Sequence, residues 1–233
     1  SFAELKLVPR EPVLALPRTI CPNCNKKRKF FCYSCFSVLG DPAIHPKLHL
    51  PISCDVIHHP TELLSKSTAV HARVIAPDCC KIYDWPDEVP VYNPEETVLL
   101  FPSKDAEDIA NLDFTKVKKV VFIDCQWHKA KAVHSHENIN KLPCVKIKKY
   151  KTLFWRYQNE DEHFLATIEA IYFFYRELVG AKYQGEYDNL LFYYALMYEM
   201  IQDKYRANPD LVFRKKKDYI QYEENDEKEK KEK

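Results

Sequence analysis

The chain has 233 residues, 46% of them hydrophobic, enough for one large domain or for one domain plus a small module. Its formal net charge of +1 conceals an uneven distribution: residues 1–50 carry eight Lys/Arg against three Asp/Glu, residues 81–113 two against nine, and residues 116–156 eleven against two. Glycine is limited to Gly40, Gly180 and Gly185, which excludes both a GxGxxG fingerprint and a Walker A loop, since each needs backbone room that only glycine gives.

Residues 1–20 hold three prolines and little periodicity, and read as an extended arm. Residues 21–40 read as a small metal module. Cys21 and Cys24 form one Cys-x2-Cys knuckle, Cys32 and Cys35 a second, and seven residues with a basic run at 26–29 separate them. Two such knuckles bring four thiolates within tetrahedral reach of one Zn²⁺. With four protein ligands the site has no open position, so a structural role is expected. No apolar run of transmembrane length and no signal peptide is visible. A reducing, intracellular setting without membrane association is therefore expected, with metal binding in preference to disulfides.

Leu48, Leu50 and Ile52 alternate as in an extended segment. A polar loop follows with His58, His59, Glu62, Lys66, Ser67 and Thr68. Its His/Glu cluster lacks HExxH spacing and is a weak metal motif. Lys66, Ser67 and Thr68 suit either a cap on the next element or contact with phosphate. Residues 69–77 fit helix or strand, and residues 78–96 read as an acidic, proline-containing loop.

Two short apolar runs come next, at 97–101 and 120–123, each ending abruptly in polar residues. Continuous runs of this length read as strands of a parallel sheet covered on both faces, with a short crossover helix at 104–112 between them. The second run delivers Asp124 and Trp127 to its C-terminal end, where open α/β sheets bind their ligands. A helix is expected over 128–140 and a strand over 143–149. The segment 150–156 mixes rings with cations, a pattern that suits nucleic acid or an ordinary core edge with snorkelling lysines. Two helices, at 164–179 and 187–205, carry apolar and aromatic stripes at helical spacing. Glu169 interrupts the first stripe and needs a partner if buried. Residues 207–233 read as a charged tail, with eight Lys/Arg and seven Asp/Glu from Arg214 onward.

The order of these motifs resembles the DTW-domain family of tRNA-uridine aminocarboxypropyltransferases, in particular its eukaryotic type 1 group. The resemblance is carried by CPNCNKKRKFFCYSC, HHPTELLSKSTAVHARVIAP, VLLFPS, FIDCQW, KTLFWRYQNEDEHFLATIEAIYFF and KYQGEYDNLLFYYALM, together spanning about residues 21–201. One departure falls in the name-giving Asp-x-Thr-Trp motif, where Asp124 and Trp127 are kept and Gln126 takes the Thr place.

The resemblance implies a SPOUT-like α/β domain at 41–206, a parallel sheet flanked by helices with a knotted cofactor site, joined to the four-cysteine ribbon. It implies transfer of the 3-amino-3-carboxypropyl group of S-adenosylmethionine (SAM) to N3 of a uridine in the tRNA D-loop, with methylthioadenosine released. Asp124 is the candidate base, or orients the ammonium group of SAM. Phe101, Pro102, Ser103, Ile123, Cys125, Gln126, Trp127, Phe154, Arg156, Ala166, Thr167 and Glu169 are expected around SAM. Lys66, Ser67, Thr68, Lys149 and Lys151 are expected on RNA. A nuclear location follows the eukaryotic members and the basic clusters at 26–29 and 214–217. The alternatives are a SPOUT-class RNA methyltransferase and a non-catalytic zinc-ribbon RNA-binding protein.

Overall fold

The computed structural model describes residues 2–153 and 164–208. Residues 2–14 include a short helix α1 (Glu11–Leu14). Four two-residue strands follow, β1 (Thr19–Ile20), β2 (Lys27–Arg28), β3 (Phe31–Cys32) and β4 (Ser37–Val38), paired as two antiparallel hairpins. The main sheet holds β5 (Ser53–His58), β6 (Cys80–Asp84), β7 (Thr97–Leu100), β8 (Glu107–Asp108), β9 (Lys119–Asp124) and β10 (Cys144–Lys146). Its order is β6-β5-β9-β7-β10-β8, and every pairing is parallel. The helices are α2 (Ala69–Ile75), α3 (Ala130–His134), α4 (Thr167–Val179) and α5 (Phe192–Ala207). Among the described residues no helix is long and apolar enough to cross a membrane.

The two-residue period of a strand decides which side chains meet which helices. On β5 and β9, Cys54, Val56, Val120 and Phe122 face the core built with α4, where Phe122 meets Phe174 edge-on at 5.7 Å. Ile57 and Val121 face the opposite layer, with Val133 of α3, Ile139 and Leu142. Burial on both faces is why the run at 120–123 is continuously apolar. By the same parity His58 and Asp124, paired in register at the ends of their strands, lie on the α4 side. The exception in the core is Asp55, 1% exposed, whose carboxylate accepts from Lys119 Nζ at 2.7 Å on the neighbouring strand.

Several expected elements differ in detail. The strand proper begins after the alternating residues 48–52, at Ser53, and runs to His58; Pro51 has no N–H to give a ladder. His58, grouped with the polar loop on composition, is the last residue of that strand. The acidic loop contains β6, which pairs with β5 along its whole length. Residues 104–112 form no crossover helix: Glu107–Asp108 pairs with β10 at the sheet edge and a single 3-10 turn, Ile109–Asn111, follows. The helix after Trp127 is a 3-10 turn (Trp127–Lys129) continued by the five-residue α3. The undecided segment at 69–77 is α2.

The N-terminal arm is tied down. Phe2 packs edge-on against Tyr194 and Tyr198 at 5.9 and 5.1 Å. The Lys6 and Val8 amides donate to Asp188 Oδ2 (2.7 Å) and Asn189 Oδ1 (3.0 Å), and Arg10 pairs with Glu199. Gly185 has a φ of +99°, and a Cβ there would stand 2.9 Å from Asp188 Oδ2, so the turn that presents Asp188 to the arm requires glycine.

Candidate active site at the ends of β5 and β9

The connection from β5 leads through α2 to β6 on one side. The connection from β9 leads through α3 to β10 on the other, and α2 and α3 cover opposite faces. The carboxyl ends of β5 and β9 are therefore a topological switch point, where diverging connections leave a crevice. Asp124 stands at this crevice, 5% exposed. Its Oδ2 accepts from Ser67 Oγ at 2.7 Å and pairs with His58 Nδ1 at 2.8 Å. Its Oδ1 accepts from Thr167 Oγ1 at 2.7 Å. A carboxylate offers about four acceptor positions, so one position on Oδ1 is left over.

His58 is held between two acceptors, Asp124 Oδ2 and the Glu62 carbonyl at 3.0 Å from Nε2. Both contacts are satisfied only when both ring nitrogens carry protons. Burial works against that charge, but the hydrogen bond to Asp124 and its negative charge outweigh burial and raise the imidazole above its ordinary range. The protonated form of His58 is thereby favoured beside the Asp124 carboxylate.

Two helix starts close the network. Ser67 and Thr68 are buried and precede α2; Thr167 opens α4. The residue before α4 is Ala166, which has no side chain to cap the helix. Thr68 Oγ1 accepts instead from Ile168 N at 3.2 Å, and Glu169 accepts from Ala166 N at 2.8 Å. Glu169 also accepts from Thr152 Oγ1 at 2.6 Å and Leu153 N at 2.9 Å. One buried carboxylate therefore ties Thr152 and Leu153 to the start of α4. Burial pushes that carboxyl above the usual carboxylate range in spite of these donors.

The other sequence candidates fall into groups. Trp127 is 40% exposed and meets Phe164 edge-on at 4.6 Å. Gln126 is exposed, and its side chain makes no hydrogen bond among the described residues. Cys125 is half-buried, its thiol pushed up to about 12 by burial and by the charge of Asp124. Ile123 is half-buried and faces the α3 layer. Phe101 stacks on His134 at 4.4 Å beyond the end of β7, next to the exposed Pro102 and the half-buried Ser103. Lys66, Lys149 and Lys151 are exposed, whereas the hydroxyls of Ser67 and Thr68 are turned inward to Asp124 and α4. Phe154 and Arg156 lie outside the described residues. His58 was missed as a site residue; the available signal was its place directly after the apolar Val56-Ile57 pair. His59 does not join it: its ring stacks on Trp85 at 4.8 Å, and it belongs to no metal-ligating cluster among the described residues.

The four sulfurs of Cys21, Cys24, Cys32 and Cys35 lie within 4.8 Å of one another. Tetrahedral Zn–S bonds of about 2.3 Å place sulfurs roughly 3.8 Å apart, so the donor set fits a metal ion after small closure. Asn25 and Phe36, each following the second cysteine of its knuckle, have φ values of 57° and 54°. The left-handed conformation is unusual for Phe; its recurrence at equivalent places marks both turns as shaped for ligation.

The chain matches known proteins over most of its length. The DTW domain model matches residues 18–202. The mouse protein named tRNA-uridine aminocarboxypropyltransferase 1 is 34% identical over 250 residues, covering 84% of this chain and 82% of its own. Those of Xenopus laevis and Homo sapiens are 33% and 32% identical, each covering 80% of this chain and 81% and 78% of their own. A solved structure of the SAM-dependent rRNA:acp-transferase Tsr3 from Vulcanisaeta distributa aligns with 66% of this chain and 80% of its own, at a TM-score of 0.44 and 17% identity. The match of the DTW domain model over residues 18–202 makes this chain a member of the DTW-domain family.

Proposed function

We propose that this chain transfers the 3-amino-3-carboxypropyl group of SAM to N3 of a uridine in the D-loop of tRNA and releases methylthioadenosine. The reading is supported by relatives of that name matching four fifths of both chains. The observation that carries it is the convergence of His58, Ser67 and Thr167 on Asp124, the first residue of the family motif, at the switch point of the sheet.

SAM supplies a sulfonium whose positive charge activates the carbon to be transferred. The residues of the chain supply alignment, which selects one of three S–C bonds. Asp124 suits the orienting role better than that of a base: three donors already engage it, and His58 matches its charge. Its remaining acceptor position suits an ammonium group. The exposed face of Trp127 suits a neighbouring cation. Thr167 and Ser67 fix the carboxylate, and Glu169 holds Thr152, Leu153 and Ala166. Lys66, Lys149 and Lys151 are assigned to RNA phosphates. The same reading includes a nuclear location, tested by imaging the tagged protein.

The test combines purified protein, unmodified tRNA and SAM, with products read by mass spectrometry. Methylthioadenosine and a mass gain on a D-loop uridine are expected. S-adenosylhomocysteine would make the protein a methyltransferase, and no saturable SAM binding would make it a non-catalytic binder. Asp124→Asn is expected to weaken SAM binding by about tenfold, the loss of one charged contact. Unchanged SAM affinity with transfer abolished would return Asp124 to the role of base.

A further inference from the structure

A cleft of about 180 Å³ opens between the cysteine ribbon and the chain that enters α2. Arg18, Arg28, Lys29 and Lys66 line it together with the Tyr33 ring and the apolar Phe30 and Phe31, and among the described residues no acidic side chain contributes to its lining. Elsewhere the cations Arg10, Lys47, Lys118 and Lys119 pair with carboxylates. Among the described residues no carboxylate pairs with Arg18, Arg28 or Lys29. The Arg28 guanidinium lies 4.0 Å over the Tyr33 ring, its Nη1 donates to the Lys27 carbonyl at 3.2 Å, and its buried Nε has no partner among the described residues. Lys29 Nζ sits 4.8 Å over the Phe30 ring. Like charges gathered in a concave surface repel one another and concentrate anions.

The position of the cleft matters as much as its charge. Ser67 lies in its wall, and the Ser67 hydroxyl donates to Asp124 at 2.7 Å. The cleft and the crevice at the strand ends therefore share one wall. The volume is below the roughly 300 Å³ at which pockets begin to enclose whole organic ligands, so it suits a phosphate group and not a complete nucleotide.

We propose that this cleft binds a backbone phosphate of the tRNA beside the target uridine, and that the ribbon, besides holding its metal, presents Arg28 and Lys29 to that phosphate. The inference rests on the tRNA reading above. Arg18 and Lys66 complete the cleft from the arm and from the loop before α2. The Tyr33 ring under the Arg28 guanidinium holds that charge at the cleft, where its free Nη2 suits a charge-assisted hydrogen bond to a phosphate oxygen.

The experiment uses the full chain with its metal. It measures tRNA affinity against salt by fluorescence anisotropy, SAM affinity by calorimetry, and bound metal by mass spectrometry. Arg28→Gln and Lys29→Gln are each expected to weaken tRNA binding by about tenfold and to lower the log–log salt slope by about 0.7 to 1 per lost contact. Metal content and SAM affinity should stay as in the wild type. Arg18→Gln, on the exposed arm outside the ribbon, should act in the same direction and decides the matter if a ribbon variant loses metal. Wild-type tRNA affinity and salt slope in the metal-loaded variants would overturn the cleft while leaving the proposed activity standing. A wild-type protein that binds SAM but no tRNA would overturn both.

Discussion

The crevice at the ends of β5 and β9 and the four-cysteine ribbon hold their shapes by different means. In the crevice, His58, Ser67, Thr167 and Asp124 lie against a core that includes Val56, Phe122 and Ile168. Apolar burial excludes water, and the polar groups then satisfy one another. The ribbon has little core of its own: Cys21, Cys32 and Leu39 form its internal buried cluster, under strands of two residues each, while Phe30 and Phe31 pack away from the cysteines into the cluster of Val70, Phe192 and Tyr193. Such a module is too small to order itself by burial, and its ligands must be held by an ion. Position in one case depends on packing, in the other on ligation, and the two meet at the stretch 64–68.

The contrast can be broken by removing the metal. Structural Zn²⁺ contributes an apparent 10–16 kcal/mol or so to small zinc-bound folds. Cys32→Ser, or chelation, should release hydrogen-exchange protection across residues 19–38 while β5 and β9 keep theirs; equal loss in both regions would show that the sheet depends on the ribbon. In the crevice, His58→Ala leaves the Asp124 carboxylate buried without its cation, and a cost of about 3–5 kcal/mol is expected in chemical denaturation.

The pH dependence of that pair sharpens the same comparison. His58 binds its proton more tightly folded than unfolded. Its contribution is complete below the ordinary imidazole value of about 6.5 and fades as pH rises through the higher folded value. The stability gap between wild type and His58→Ala should therefore narrow with rising pH, and a constant gap would mean that His58 is neutral. Glu169→Ala should cost about 1–3 kcal/mol by leaving buried donors unsatisfied, with the first loss of amide-exchange protection at Leu153 and Ala166. The smallest effect is expected from Gln126→Thr, which restores the family residue at an exposed place: stability should move by less than about 0.5 kcal/mol.

The sheet and the ribbon were the legible parts. The run at 120–123 is apolar throughout because both of its faces are covered, and local composition records that burial. The cysteine spacing records a ligand geometry in the same direct way. β6 was hidden because its exposed and half-buried residues, from Lys81 to Asp84, resemble a loop. The helix expected at 104–112 was overridden by an edge pairing with β10, which no local pattern announces.

Sequence alone determined that Asp124 stands at the end of a buried strand, that four cysteines converge, and that the family is the DTW-domain family. Those features are written in contiguous residues. Only the tertiary structure brought His58, Ser67 and Thr167, which are 66, 57 and 43 positions from Asp124, onto one carboxylate. It likewise brought Thr152, Leu153 and Ala166 onto Glu169, and placed Arg28 and Lys66 in the lining of one cleft. Such placements depend on strand register and helix packing between distant segments, and on a two-residue parity that puts His58 and Asp124 on the same face.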